Sequence, residues 1–172
     1  MLKTLFFAAA FAMSLAGPAF AQQAPTDPQI AHIAYTAGQL DIAAARQALD
    51  KSTNADVREF AELMLRDHQA VNDQALALLK TLGVTPEDNA TSQALATAAA
   101  AKHDELAALE GPAFDAAYVA NEVAFHQTVN NALAETLIPS AQNPELKALL
   151  ETGLTLFTAH QHHAEHLAAE VK

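Results

Sequence analysis

A chain of 172 residues with a net charge of −11 offers little to nucleic acid, whose phosphates call for basic partners, or to an anionic membrane surface. It contains no cysteine, which excludes disulfides, thiolate nucleophiles and thiolate metal ligands. Alanine is abundant, glycine numbers five and tryptophan is absent, a composition suited to long helices packed through small side chains.

The chain opens with Lys3, an apolar run from Leu5 to Leu15 and the triplet Ala19-Phe20-Ala21. Together these read as a secretory signal peptide over residues 1–21, cut after Ala21. The run is too short for a membrane span, and no later segment is long and apolar enough for one. The expectation is an exported, periplasmic protein. Residues 22–27 read as a flexible leader, and residues 28–172 as one domain.

From Pro28 onward, apolar residues recur at three- and four-residue steps. Turn residues break the pattern at Ser52-Thr53-Asn54, Gly83 to Asn89, Gly111-Pro112 and Pro139 to Pro144. The spacing predicts five helices, over 28–51, 54–82, 90–109, 113–138 and 144–171. Asp27-Pro28 and Asn143-Pro144 each read as an N-cap followed by Pro at the first helical position. Thr53 or Asn54 can cap the second helix. No alternating strand pattern is found. The third helix is alanine-rich with a thin apolar stripe, which suits a segment crossing from one end of a bundle to the other. The expected fold is all-α, a ferritin-like four-helix bundle with an additional crossover helix, its second and fourth helices parallel. A five-helix up-and-down bundle is the alternative.

Polar residues interrupt the core stripe of every long helix. In 54–82 the stripe Val57, Phe60, Met64, His68, Val71 contains His68, with Asp67 beside it. In 113–138 it contains Glu122 and His126, four apart and so on one face. In 144–171 it passes through Phe157, His160 and His163, and in 28–51 Asp41 lies at its edge. At about 1.5 Å of rise per residue, the crossover topology brings all of them to one height within a turn or so.

Buried carboxylates and imidazoles are costly unless paired, hydrogen-bonded or bound to metal, and convergence from facing helices is how bundles build metal sites. The candidate ligands are His68, Glu122, His126, His160, His163 and Asp41, with Met64 as a soft ligand for Cu(I). Imidazoles outnumber well-placed glutamates, which favours a Zn or Cu cofactor over Fe. The two-metal carboxylate signature, with Glu-x-x-His on two helices, is missing. The rival reading is a hydrogen-bonded network that only fixes helix register.

HQHHAEH, residues 160–166, carries four of the eight histidines. On a helical wheel they spread over roughly 160°. His160 and His163 are expected to face the core, and His162 and His166 to form a surface pair able to take Zn or Cu. His32 and His103 read as structural or incidental.

Three stretches resemble the domain-of-unknown-function 4142 family: VREFAELMLRDHQAVND (57–73), FDAAYVANEVAFHQTV (114–129) and PELKALLETGLTLFTAHQHHAEHL (144–167). Phe60, Ala61, Met64, Asp67 and His68 match its most specific segment. Phe114, Asp115, Tyr118, Val123 and His126 match the second. Asp41 stands where the family usually has Glu, and His160 or His163 matches its late His. The resemblance implies export and a ferritin-like fold, with no agreed activity.

The functional expectation is metal binding, storage or sensing rather than turnover, with the metal ion as partner. No protein partner is named by the sequence, and a homodimer is left open. The alternative is a metal-free interaction or envelope-stress protein with a structural polar layer. More distant is an oxidoreductase with a dinuclear centre. With no Cys and no G-x-S-x-G turn, hydrolytic nucleophile chemistry has little support.

Overall fold

Asparagine side-chain caps set where three of the helices begin. The computed structural model describes residues 24–171, so the signal-peptide reading of 1–21 falls outside the described residues. Five helices follow: α1 (Asp27–Lys51), α2 (Ala55–Leu82), α3 (Ala90–Ala107), α4 (Gly111–Ala132) and α5 (Pro144–Glu170). No strand occurs among the described residues. Asn54 Oδ1 accepts from the backbone N–H groups of Asp56 at 2.9 Å and Val57 at 3.3 Å. Asn89 caps α3 through Thr91 and Ser92, and Asn143 caps α5 through Leu146. Each supplies an acceptor to donors that a helix start leaves unpaired.

Two local expectations are corrected. Thr26, not Asp27, is the N-cap of α1, and its own N–H donates to Gln29 Oε1 at 3.1 Å. The Asp27 carboxylate accepts instead from the N–H groups of Gln142 and Asn143, both at 2.8 Å, tying the start of α1 to the α4–α5 link. The fourth helix is not regular to its end. It widens into a π-helical segment, Leu133–Leu137, and finishes with Ile138–Ser140. Pro139 has no amide proton, and its ring crowds the carbonyl one turn back. The wider register, with the Ile138 N–H reaching Leu133 O, precedes it.

Helix α3 is the crossover. At one end the Glu87 N–H donates to Pro28 O at 3.0 Å, and Asn89 Nδ2 to Gln29 O at 3.3 Å. At the other, Gln47 Nε2 donates to His103 O and Lys51 Nζ to Ala107 O, both at 3.0 Å. α3 therefore runs alongside α1 for its whole length and returns the chain to the end where α2 began. Around the bundle α1 packs on α2, α2 on α5, α5 on α4 and α4 on α1, with α2 and α4 parallel. α1 and α2 pack closely at Gly38, where a Cβ would overlap the Asn72 carboxamide.

The apolar core falls into two clusters. One, at the α1–α2 turn end, gathers Val57, Phe60, Met64, Phe114, Tyr118 and Leu167. The other, at the opposite end, gathers Ile30, Ile33, Leu133, Leu137, Leu146 and Leu150. A polar layer separates them.

Candidate metal centre

Each bundle helix delivers polar side chains to that layer: Asp41 from α1, His68 from α2, Glu122 and His126 from α4, and His160 from α5. All five are at most 3 % exposed. Asp41 was expected at the edge of its stripe, yet it lies at the centre. α1 is covered by α2 on one flank and α3 on the other, so its buried arc is wide and Ala37, Asp41, Ala45 and Ala48 run down its middle.

The three imidazoles form a near-equilateral triangle. His68 and His126 ring centres are 5.6 Å apart, His68 and His160 5.4 Å, and His126 and His160 5.6 Å. Asp41 Oδ2 lies 3.5 Å from His68 Nε2 and 3.7 Å from His126 Nε2. These gaps are too long for good hydrogen bonds. They are close to the spacing of about 3.4 Å between neighbouring ligands that tetrahedral bonds of ~2.1 Å imply.

The far sides of two rings are anchored. His126 Nδ1 lies 3.0 Å from the Glu122 carbonyl, which can only accept, so Nδ1 carries the proton and Nε2 presents its lone pair to Asp41. His160 Nε2 lies 3.0 Å from Asp67 Oδ2, and Arg66 Nε donates to the same carboxylate at 2.9 Å. This leaves His160 Nδ1 free. A carboxylate or carbonyl behind a ligating imidazole is how metal sites fix tautomer and ring orientation. His68 is stacked on Phe157 at 4.6 Å and 11°, which sets its plane.

Burial governs the protonation. It pushes His68 down to about 2, reinforced by the neighbouring His126 and His160, and His126 down to about 4. His160 is also lowered by burial, although Asp67 pulls the other way. Burial raises Asp41 to about 7, offset in part by the Glu122 carboxyl facing it. Glu122 rises well above the usual range through burial and then repulsion from Asp41. Asp67 loses some hydration, but its hydrogen bonds from Arg66 and His160 outweigh this and hold it low. At neutral pH the layer thus offers uncharged imidazoles with lone pairs, and carboxyls that release protons to a cation.

Among the described residues two donor sets come together, His68 with His126 and His160, and Asp41 with Glu122 and His126, each within 4.8 Å. Both use His126, which stands between them: Asp41 Oδ2 lies 3.7 Å from its Nε2 and Glu122 Oε2 3.7 Å from its Nδ1.

His163 does not join them, which corrects the expected inward pair. It is exposed, with its ring edge-on to Phe60 at 5.1 Å, and it lines a shallow groove with Arg58, Glu62 and Arg66. The buried positions of α5 run 153, 157, 160, 164, 167, so the inward place after His160 belongs to Ala164. His162 and His166 are exposed, and neither enters a group of three donors among the described residues. Met64 is fully buried in the aromatic cluster one turn before His68. His32 lies at the far end, 3.8 Å from Asp88, and His103 is exposed.

Asp67, Phe157 and Tyr118 have places at the layer that the sequence did not indicate. Asp67 anchors His160, and Phe157 carries His68. The Tyr118 hydroxyl is buried without a partner, and it is pushed up by burial and by the charges of Glu122 and Asp41. Phe157 stands three residues before His160, so helical spacing alone could have placed it against the layer.

A family model described as a domain of unknown function, DUF4142, matches residues 12–167. The chain belongs to the DUF4142 family. By sequence, no curated protein matches this family member. Its fold is similar to the solved structure of CopM in the Cu(II)-bound form, with a TM-score of 0.65 at 14 % identity, covering 86 % of this chain and 99 % of that one. At that identity the likeness speaks for the fold alone. No helix among the described residues of this DUF4142 chain is long and apolar enough to cross a membrane.

Proposed function

We propose that this DUF4142 protein is an exported metal-binding protein. Its ion is Zn or Cu, held by His68 Nε2, His126 Nε2, His160 Nδ1 and Asp41, with Glu122 adjoining, for binding, storage or sensing. The carrying observation is that both His68 nitrogens, His126 Nε2 and His160 Nδ1 are buried without a hydrogen-bond partner, beside the paired carboxyls of Asp41 and Glu122. A network serving only register would satisfy its buried polar atoms, since orphaned groups are expensive. The three imidazoles instead bring donors within 4.8 Å of one another, Asp41 lies 3.5 and 3.7 Å from two of them, and His126 and His160 are anchored from behind. Three imidazoles suit Cu and Zn better than Mg or Ca. CopM, the structural neighbour, is known in a Cu(II)-bound form, which weights the choice toward copper. Export follows the leader reading and the family resemblance.

The test is metal analysis and calorimetric titration of untagged protein with Cu(II) and Zn(II). The expected result is one equivalent bound more tightly than about 1 μM, abolished by His126→Ala. Stoichiometric binding weaker than that, or binding unaffected by His126→Ala, would overturn the reading.

A further inference from the structure

The half of the bundle below the polar layer is hollow. A chamber of about 330 Å³ lies between α1, α2, α4 and α5 and reaches α3. Interiors normally leave few voids larger than a water molecule. This one is about twice the ~150 Å³ of an apolar cavity known to take up benzene, and it falls within the ~300–1,000 Å³ range of small-molecule sites.

Its walls are mostly apolar, from Ile33 and Val71 to Val129 and Leu149 with Phe125 and Phe157, and small residues such as Ala37 and Gly153 keep it open. Filling those positions with larger side chains would close it. Its mouth lies beside α3, where Ala94 and Ala98 are exposed and face Thr128 of α4. The middle of α3 is not packed down. Within that helix only Ser92 and Leu106, one near each end, are buried. The helix is fastened at both ends and spans the opening between them.

Two polar features interrupt the apolar lining at depth. Asn72 is 4 % exposed, and its Nδ2 has no hydrogen-bond partner. At the ceiling stand His68, with both nitrogens unpaired, and His126. A large apolar volume with an unspent amide donor is the combination that recognises an oil-like molecule with one accepting oxygen.

We infer that the chamber is a binding site for a small apolar organic molecule bearing a carbonyl-type oxygen, its chain along the aliphatic walls and its oxygen accepting from Asn72 Nδ2. The chamber shares His68 and His126 with the polar layer, yet the two sites can be tested apart. His160 and Asp67 take no part in its lining, and Ala94 and Val129 take no part in the polar layer.

The experiment uses 2-decanone as probe, with decane as the control lacking an acceptor, titrated by ligand-observed NMR and calorimetry. Wild type is expected to bind one ketone saturably and at least tenfold more tightly than decane. Ala94→Phe and Val129→Phe, which place a ring at the mouth and in the wall, are expected to abolish ketone binding and to keep metal binding. Asn72→Leu is expected to bring the ketone down to the affinity of decane. His160→Ala is expected to lose metal and keep the ketone, so failure of either site is seen separately. No saturable ketone binding by wild type, or ketone binding unchanged in both Phe variants, would overturn the inference. Equal affinity for ketone and decane in wild type would overturn the role of Asn72.

Discussion

The two halves of the bundle core are built from the same helices and packed in opposite ways. At the α1–α2 turn end, Phe60, Phe114 and Tyr118 are fully buried, with Phe60 edge-on to Tyr118 at 6.3 Å and Phe114 stacked on it at 6.1 Å. At the other end Ile30, Ile33, Leu133, Leu137, Leu146 and Leu150 form the buried cluster, and beside it small residues such as Ala37, Gly38 and Gly153 line an open chamber. The polar layer sits at the boundary. The difference teaches a division of labour: the aromatic end holds the helices in register, and this allows the layer to keep unpaired donors and the far end to stay hollow. On the proposed reading, stability and binding fall to different stretches of the same four helices.

The largest expected effect breaks the closed end. Phe60→Ala should cost about 3–5 kcal/mol, measured by urea unfolding, because its neighbours cannot collapse into the space. A loss below about 1 kcal/mol would mean that this end is not the anchor.

Next comes the layer. With metal at a hundred times its Kd, the wild type should gain about 2.7 kcal/mol. His68→Leu should lose that gain while leaving the metal-free protein as stable as before or more so, since an orphaned imidazole is replaced by an aliphatic group. If His68→Leu destabilises the metal-free protein strongly, the layer is a structural network instead.

A smaller and sharper comparison uses one substitution in both halves. Val57 is fully buried in the aromatic cluster, whereas Val71 is half-buried on the chamber wall. Val57→Ala should cost roughly 2–3 kcal/mol and Val71→Ala about 1, from lost methyl burial plus a cavity term that only the closed end incurs in full. Equal losses would erase the contrast.

The smallest effect is on pH. His68, at about 2, and His126, at about 4, bind protons less readily when folded than unfolded, so they withdraw stability as pH falls below 6.5. Asp41, at about 7, and Glu122, also raised, bind protons more readily when folded, so their contribution is complete below the unfolded carboxyl range and is lost as pH rises toward and past 7. From about pH 4 to 6.5 the two ranges overlap and their slopes oppose each other. The melting temperature of the metal-free protein should therefore be nearly level there, fall below about pH 4, and fall again above about 6.5 as the carboxyls lose their protons. Asp41→Asn should flatten the alkaline fall, and an unchanged profile would show that Asp41 does not hold its proton.

Helix spacing made the fold legible, because turn residues separated five amphipathic runs and the thin third stripe marked the crossover. Four of the layer's positions were legible for the same reason: His68, Glu122, His126 and His160 interrupt apolar stripes. Asp41 appeared marginal because one helix's stripe does not reveal that α3 covers its second flank. His163 appeared equivalent to His160 because a wheel places them 60° apart, and only the packing of Ala164 against the core separates them. The chamber was not legible. Alanine reads as good helix former in sequence, and whether it fills or leaves space depends on what stands opposite.

The most direct measurement is anomalous diffraction from crystals of untagged protein soaked in copper. The account predicts one dominant peak inside the bundle, among His68, His126, His160 and Asp41. Copper only at His162 and His166 on the surface, or no peak within the layer, would contradict it.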